Sequence, residues 1–230
     1  MTKHLITPSL LNSYAYYIQD EWKSPEDSRA DFLRTLSREK FEPNEAMQRG
    51  IDFENDILDA CNNNLVANYS KIEPRFVELV LENGVVLTRN MKERTIMQQY
   101  VDCVENVANV VKGGLWQEPV KKELKIGNQE FLLYGRTDVI KRDTIYDIKF
   151  TSKYELGKFL DSSQHLIYLY CSDLPNFSYL ISDGKDWWRE DYHNHAGVEG
   201  EIKSKVSEFL DYLEGDKEAK EMFLAKWVSK

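Results

Sequence analysis

Only three cysteines occur in the 230 residues, Cys61, Cys103 and Cys171. They are too few and too scattered for a disulfide framework or a paired-cysteine metal knuckle. Long apolar runs are missing as well, none approaching the roughly 20 residues that a membrane span requires. The opening Met1-Thr2-Lys3-His4-Leu5-Ile6-Thr7-Pro8 lacks the apolar stretch of a secretory signal. Internal repeats and low-complexity linkers are absent. Positive charge is scarce, with 30 Lys and Arg against 39 Asp and Glu, a net of −9. That balance argues against a surface broadly attractive to polyanions. These absences predict a cytoplasmic globular chain with no membrane contact.

What is present supports a sizeable core, with 42% hydrophobic and 30% charged residues. Charge is not evenly spread. Residues 118–160 carry 9 basic and 7 acidic side chains, whereas 1–117 carry 13 and 18, and 161–230 carry 8 and 14. A local basic surface is therefore compatible with an acidic whole. Periodicity predicts helices over 8–17, around 32–36, over 43–61 and over 91–112, with Pro25-Glu26-Asp27-Ser28 breaking the first pattern. A hairpin is expected over 75–89 about Asn83-Gly84. Strands 120–126, 131–134 and 144–150 read as a meander, followed by a helix over 154–171. Strands at 177–181 and around Trp187-Trp188 come next, and helices over 198–213 and 217–228 close the chain. The expected class is mixed α/β, a central mixed sheet flanked by helices with additional N- and C-terminal helices. The expected organisation is a single domain over 1–230: a mainly helical 1–117, a sheet core over 118–192, and helices over 193–230.

Chemistry is sought where charged residues occupy positions that should be apolar. Asp147 and Lys149 lie two apart in the strand 144–150 and so project from one face. Acid-x-Lys alone is uninformative, because the triplet occurs six times in the chain. Context separates this one. The turn at Arg142-Asp143 brings Asp138 alongside Asp147, and two neighbouring carboxylates repel unless a cation lies between them. Mg²⁺ is the common oxygen-ligand cation for one or two carboxylates with a substrate phosphate. On the helix near 45–61, Glu54 falls within the stripe Met47, Gly50, Ile51, Ile57, Leu58 and Cys61, while Asp52, Asp56 and Asp59 fall opposite. An acid in such a stripe needs a metal or an ion-pair partner, for which Arg49 and Lys149 are candidates. Gln164 and Tyr168 share a helix face at i,i+4.

In chain order, Arg49-Gly50-x-x-x-Glu54, Gly135-x-x-Asp138, Asp147-x-Lys149 and Gln164-x-x-x-Tyr168 resemble the motif series of the PD-(D/E)xK nuclease superfamily. The RecB-like branch, with its many phage exonucleases, is the nearer match. The resemblance spans roughly residues 45–170, and residues 6–17 are similar to the Ser/Thr-rich helix opening of such proteins. Many RecB-like members have His where this chain has Glu54. The iron–sulfur branch uses four cysteines, so no cluster is expected here.

The resemblance implies a restriction-endonuclease-like core and metal-assisted hydrolysis of DNA. Asp138, Asp147, Glu54 and the Ile148 carbonyl become the implied Mg²⁺ ligands, with Mn²⁺ able to substitute. Lys149 is implied to stabilise charge on the attacked phosphate, with Gln164 and Tyr168 positioning it or the substrate strand. Arg136, Thr151, Ser152 and Lys153, beside the motifs in the basic segment, are candidate phosphate contacts. The implied setting is recombination or replication in a bacterium or a phage-infected host. DNA is the implied partner; an annealing or other recombination protein and a homo-oligomer stay open. Two other functions also stay open: a catalytically inactive nuclease-fold module that binds DNA or protein, and a structure-specific endonuclease. Plainer readings stand beside these. Asp147–Lys149 can be a salt bridge, Gln164 and Tyr168 helix packing, Trp187-Trp188 strand packing, His193 and His195 a solvated loop, and Cys61 core.

Overall fold

The computed structural model describes residues 3–19, 23–40, 42–62, 68–73, 76–80 and 86–229, those between 68 and 97 by backbone alone. A short strand β1 (His4–Ile6) leads into α1 (Pro8–Gln19), where Thr7 Oγ1 accepts the Leu10 N–H. Pro25 does not interrupt a helix but starts one. It is the first residue of α2 (Pro25–Ser37), behind an N-cap in which Ser24 accepts from Asp27 N. Asn44 caps α3 (Glu45–Cys61) in the same way, through Met47 N. Strands β2 (Asn68–Glu73), β3 (Phe76–Val80) and β4 (Val86–Asn90) form a separate antiparallel sheet. The hairpin expected over 75–89 corresponds to β3 and β4; its Asn83-Gly84 turn lies outside the described residues. Next comes α4 (Met91–Val111), after which Gly113 takes φ +81°.

The rest of the chain builds two more sheets. Its elements are β5 (Leu115–Trp116), β6 (Pro119–Ile126), β7 (Gln129–Arg136), β8 (Val139–Lys141), β9 (Thr144–Phe150), α5 (Ser163–Ser172), β10 (Asn176–Ser182), β11 (Trp187–His193), α6 (Val198–Gly215) and α7 (Lys217–Lys226). One sheet has the order β1-β7-β6 and the other β11-β10-β9-β8-β5. Each is mixed, since β1 runs parallel to β7, and β9 parallel to β10. The architecture is mixed α/β, as expected. No described helix is long and apolar enough to cross a membrane.

Two expectations about the sheet and the helix after it need correction. The meander is not one sheet, because β7 pairs with β6 and β1, whereas β9 pairs with β8 and β10. The chain changes sheet at Thr137–Asp138. There Thr137 N bonds Glu118 O at 3.0 Å and Gln117 N bonds Asp138 O at 2.9 Å. These bonds satisfy the backbone where neither ladder reaches. The helix expected over 154–171 begins only at Ser163. Gly157 takes φ +84°, and Ser162 caps α5 by accepting from Gln164 N, so residues 156–161 form turns instead.

Strand alternation sorts the five-stranded sheet into two buried faces. Ile145, Phe177, Tyr179 and Ile181 point to one core, shared with Leu10, Phe32, Leu166, Ile167, Val206 and Phe209 from the helices. Tyr146, Ile148 and Leu180 point to the other, packed on Phe53 and Ile57 of α3 and on Val104 and Val107 of α4. Trp187 and Trp188 divide between these faces, each half-buried. The α3 stripe is rotated from its expected position. Phe53 and Ile57 are its buried residues, while Met47 and Ile51 are 45% and 43% exposed. The large Phe53 ring draws the helix round onto Tyr100 and Phe150. Asp56 consequently leaves the solvent side and accepts the Tyr100 hydroxyl at 2.6 Å.

In the first core, His165 is only 5% exposed, stacked on Tyr192 at 4.1 Å and edge-on to Tyr179. Its Nδ1 has no hydrogen-bond partner. Burial, assisted by the charge of Lys205, lowers its pKa from 6.5 to about 4. Between these two values the unfolded chain holds a proton that the folded chain refuses. Stability must therefore fall as pH drops through that window, by about 3 kcal/mol at full extent. His165→Phe is expected to remove that part of the acid sensitivity. Urea midpoints at pH 7.5 and 4.5 check it, and parallel losses in wild type and variant would refute the assignment.

Candidate active site

The site forms where β8 stops short. Its last pair with β9 is Val139 with Tyr146, so one edge of β9 is open from Asp147 onward. Asp138, just before β8, fills the first vacancy with its side chain, Oδ2 accepting the Ile148 N–H at 2.7 Å. That bond continues the ladder and also fixes Asp138 beside Asp147. Within a strand a residue's N–H and C=O face the same edge, so the Ile148 carbonyl faces Asp138 too.

Asp147 and Lys149 project together toward α5, as strand alternation requires. Lys149 Nζ lies 2.7 Å from Asp147 Oδ2 and 5.9 Å from the Tyr179 ring centroid. From α5, Gln164 Nε2 donates to Asp147 Oδ1 and stands 3.5 Å from the Tyr168 hydroxyl. Tyr168 donates to the Arg136 carbonyl at 2.7 Å, bracing the end of β7. Asp147 is 1% exposed, yet its Oδ2 receives no hydrogen bond. The lysine contact is close enough for an ion pair but lacks the alignment of a hydrogen bond.

Electrostatics mark this cluster as costly. Burial, then the charge of Asp147, drives the Asp138 pKa well above the ordinary carboxylate value. Burial also raises Asp147, against the opposing pull of Lys149 and Gln164. Burial pulls Lys149 down, but Asp147, Asp138 and Glu54 outweigh it and leave the ammonium above its ordinary value. One lysine thus serves several acids.

Glu54 approaches from α3 without joining the pair. Its Oε1 accepts from Gln117 Nε2 at 2.7 Å, and burial raises its pKa. Arg49, offered as its partner, pairs with Glu45 instead. Among the described residues, no group of three or more His, Cys, Asp or Glu stands ready to hold a metal. Two carboxylates do adjoin, one with a buried oxygen lacking a donor, and Mg²⁺ needs no more than one or two when phosphate oxygens and water complete its shell. Asp138, Asp147 and the Ile148 carbonyl fit such an ion; Glu54 fits only on leaving Gln117.

The candidate phosphate contacts are less convergent. Arg136 and Ser152 are exposed, Thr151 accepts from Lys158, and Lys153 pairs with Glu155 at 2.5 Å. His193 ends β11 with Nδ1 2.9 Å from Asn176 Oδ1, while the exposed His195 lies 3.4 Å from Glu201. Cys61 is only half-buried.

Three residues escape a reading of the sequence. Gln117 takes φ +56° and links Glu54 to Asp138. Asn12 on α1 accepts from Ser163 N at 2.8 Å and donates to Ser162 Oγ at 3.1 Å, setting the start of α5 and hence the reach of Gln164. Lys158 shares with Lys149 and Gln164 a cavity of about 300 Å³. Local pattern could not announce Asn12, which acts across 150 positions.

No family model matches this chain, and no curated protein does. Among solved structures, that of LHK-Exo in complex with dAMP is similar at 13% identity, covering 96% of this chain and 93% of that one, with a TM-score of 0.47. That of SSO0001 is similar at 14% identity, covering 53% and 70%, with a TM-score of 0.40. The chemistry of the site rests on its own geometry.

Close packing behind the site gives a direct check. A Cβ on Gly135 would lie 2.0 Å from Tyr168 Cε1, whereas one on Gly50 of α3 would meet nothing within 4 Å. Gly135→Ala is expected to destabilise by about 1–3 kcal/mol through overpacking. Gly50→Ala is expected to stabilise by about 0.5–1 kcal/mol through helix propensity. Denaturant unfolding measures both, and equal midpoints would contradict the packing of Tyr168 on β7.

Proposed function

We propose that this protein is a metal-dependent deoxyribonuclease that hydrolyses DNA phosphodiester bonds from strand ends. The observation that carries the reading is the pair Asp138 and Asp147, held side by side at an open strand edge with one lysine shared between them. The order of the motifs, similar to the RecB-like series, supports DNA as substrate and exonucleolytic action.

In this reading Asp138, Asp147 and the Ile148 carbonyl would hold Mg²⁺, joined by Glu54 from α3 once it leaves Gln117. A bound ion would supply a water of lowered pKa and neutralise charge on the phosphate. Lys149, fixed by Asp147, faces the attacked phosphate and stabilises charge developing there. Gln164 orients Asp147 through Oδ1, while Oδ2 faces the Lys149 ammonium at 2.7 Å. Tyr168 acts behind it, anchoring the Arg136 carbonyl so that the passage from β7 to Asp138 keeps its course.

The test is degradation of end-labelled linear duplex and single-stranded DNA, with Mg²⁺ and with EDTA. Wild type is expected to degrade linear DNA only with Mg²⁺ or Mn²⁺ and to leave covalently closed circles intact. Lys149→Ala should lower the rate by about 10²–10³-fold, and Asp147→Ala should abolish cleavage while DNA binding survives. Cutting of closed circles would turn the reading to an endonuclease. Absence of cleavage with either metal, on any of these DNAs, would leave a binding module.

A further inference from the structure

The turns after β9 carry the next functional group. Residues 151–161 leave the sheet directly beyond Lys149, with Leu156 and Leu160 90% and 64% exposed. Such a segment would be expected to wander, yet it is tied to β11 by one buried side chain. Glu190, 8% exposed, accepts from the Tyr154 hydroxyl, from Gly157 N at 2.9 Å and from the Tyr192 hydroxyl at 2.8 Å. Tyr154 also packs on Trp188, its ring centroid 4.8 Å away. A carboxylate taking three donors is a strong fixed point, since charge-assisted bonds are about twice as strong as neutral ones.

The residue after Gly157 is Lys158. Its Nζ donates to Thr151 Oγ1 at 2.8 Å and to the Lys153 carbonyl at 3.1 Å, both neutral acceptors. No carboxylate among the described residues is within ion-pair distance of it, in contrast to Lys149 with Asp147 and Lys153 with Glu155. Lys158 opens on the cavity that also holds Lys149 and Gln164; the one carboxylate lining it is Asp161. The wall therefore offers a preset cation outside any ion pair beside the candidate active site, with Asp161 on the same lining and Glu155 feeling its charge.

We infer that Lys158, held in place by the Glu190-anchored turns, binds a backbone phosphate of the substrate strand next to the one attacked. Lys158 takes the place of Lys153, whose charge is already committed. Glu190 is a positioning residue, acting on substrate only through Tyr154 and Gly157. The inference rests on the nuclease reading for its substrate, but not for its anion.

Binding of a deoxythymidylate 12-mer in EDTA over a range of salt, and of inorganic pyrophosphate by calorimetry, tests this without turnover. Lys158→Gln is expected to make the slope of log K on log salt shallower by about 0.7, the loss of one single-strand phosphate contact. Its pyrophosphate affinity should drop by about fivefold. Lys217→Gln, on the exposed side of α7, should match wild type. Glu190→Gln should weaken both probes with Lys158 still present. Tyr154→Phe, removing a single donor, should do so less and keeps the test open if Glu190→Gln fails to fold. A wild-type slope and pyrophosphate affinity in Lys158→Gln would overturn the inference, as would failure of the wild type to bind either probe. Lys158-dependent binding of both probes without metal-dependent cleavage would sustain it and remove the nuclease reading. Cleavage indifferent to Lys158→Gln would do the reverse.

Discussion

One hydrogen bond organises the centre of this molecule. Where β8 ends, β9 would present an unpaired amide at Ile148, and an orphaned buried amide costs about as much as a lost hydrogen bond. Asp138 supplies the acceptor at 2.7 Å. Because the acceptor belongs to a side chain and not a strand, the ladder stops there and the edge beyond it stays free. The same bond sets the second carboxylate beside Asp147, which strand alternation turns toward α5 with Lys149. Shorten β8 by one residue and the acids separate; lengthen it and the edge closes.

That arrangement does not repay its electrostatic cost in stability. One buried carboxylate, Asp147, and one half-buried, Asp138, both with raised pKa values, are each held in an environment that disfavours their charge. Breaking a buried ion pair is destabilising, yet apolar replacement of the whole is often neutral or better. A purely structural salt bridge needs one acid and one base. Here a second acid is added, a third is near through Glu54, and a buried oxygen has no donor. Perturbed carboxylates gathered in this way are characteristic of functional sites more than of structural ion pairs.

Much of the geometry was legible because it is local. The two-residue turn at Arg142-Asp143 and strict period-two alternation suffice to set Asp147 and Lys149 on one face and Asp138 nearby. The i,i+4 spacing places Gln164 and Tyr168 on one face of α5. What escaped was non-local. The break between β7 and β8 depends on backbone bonds to Glu118 and Gln117, which no pattern in 129–141 encodes. The rotation of α3 follows from Phe53 meeting Tyr100 and Phe150, partners 47 and 97 positions away. A helical wheel counts how many apolar residues share a face; it does not know which ring is large enough to decide the docking. Met47 and Ile51 are exposed for that reason, and Glu54 stands at the edge of the buried face.

The net charge of −9 first reads as an objection to any role with DNA. Several of the chain's acids are held in ion pairs, three cations serving five acids: Lys3 with Glu123 and Glu130, Arg29 with Asp216 and Glu218, Lys220 with Glu214. Those pairs are mostly exposed and screened, with a range of about 8 Å at physiological salt. A phosphate at the mouth of the Lys149 cavity is governed by groups within that range, not by the total. There the positive members of the wall are Lys149, outnumbered by the acids it serves, and Lys158, which is in no ion pair among the described residues. An acidic protein can therefore hold a polyanion locally, provided that a few fixed cations do the work the surface as a whole does not.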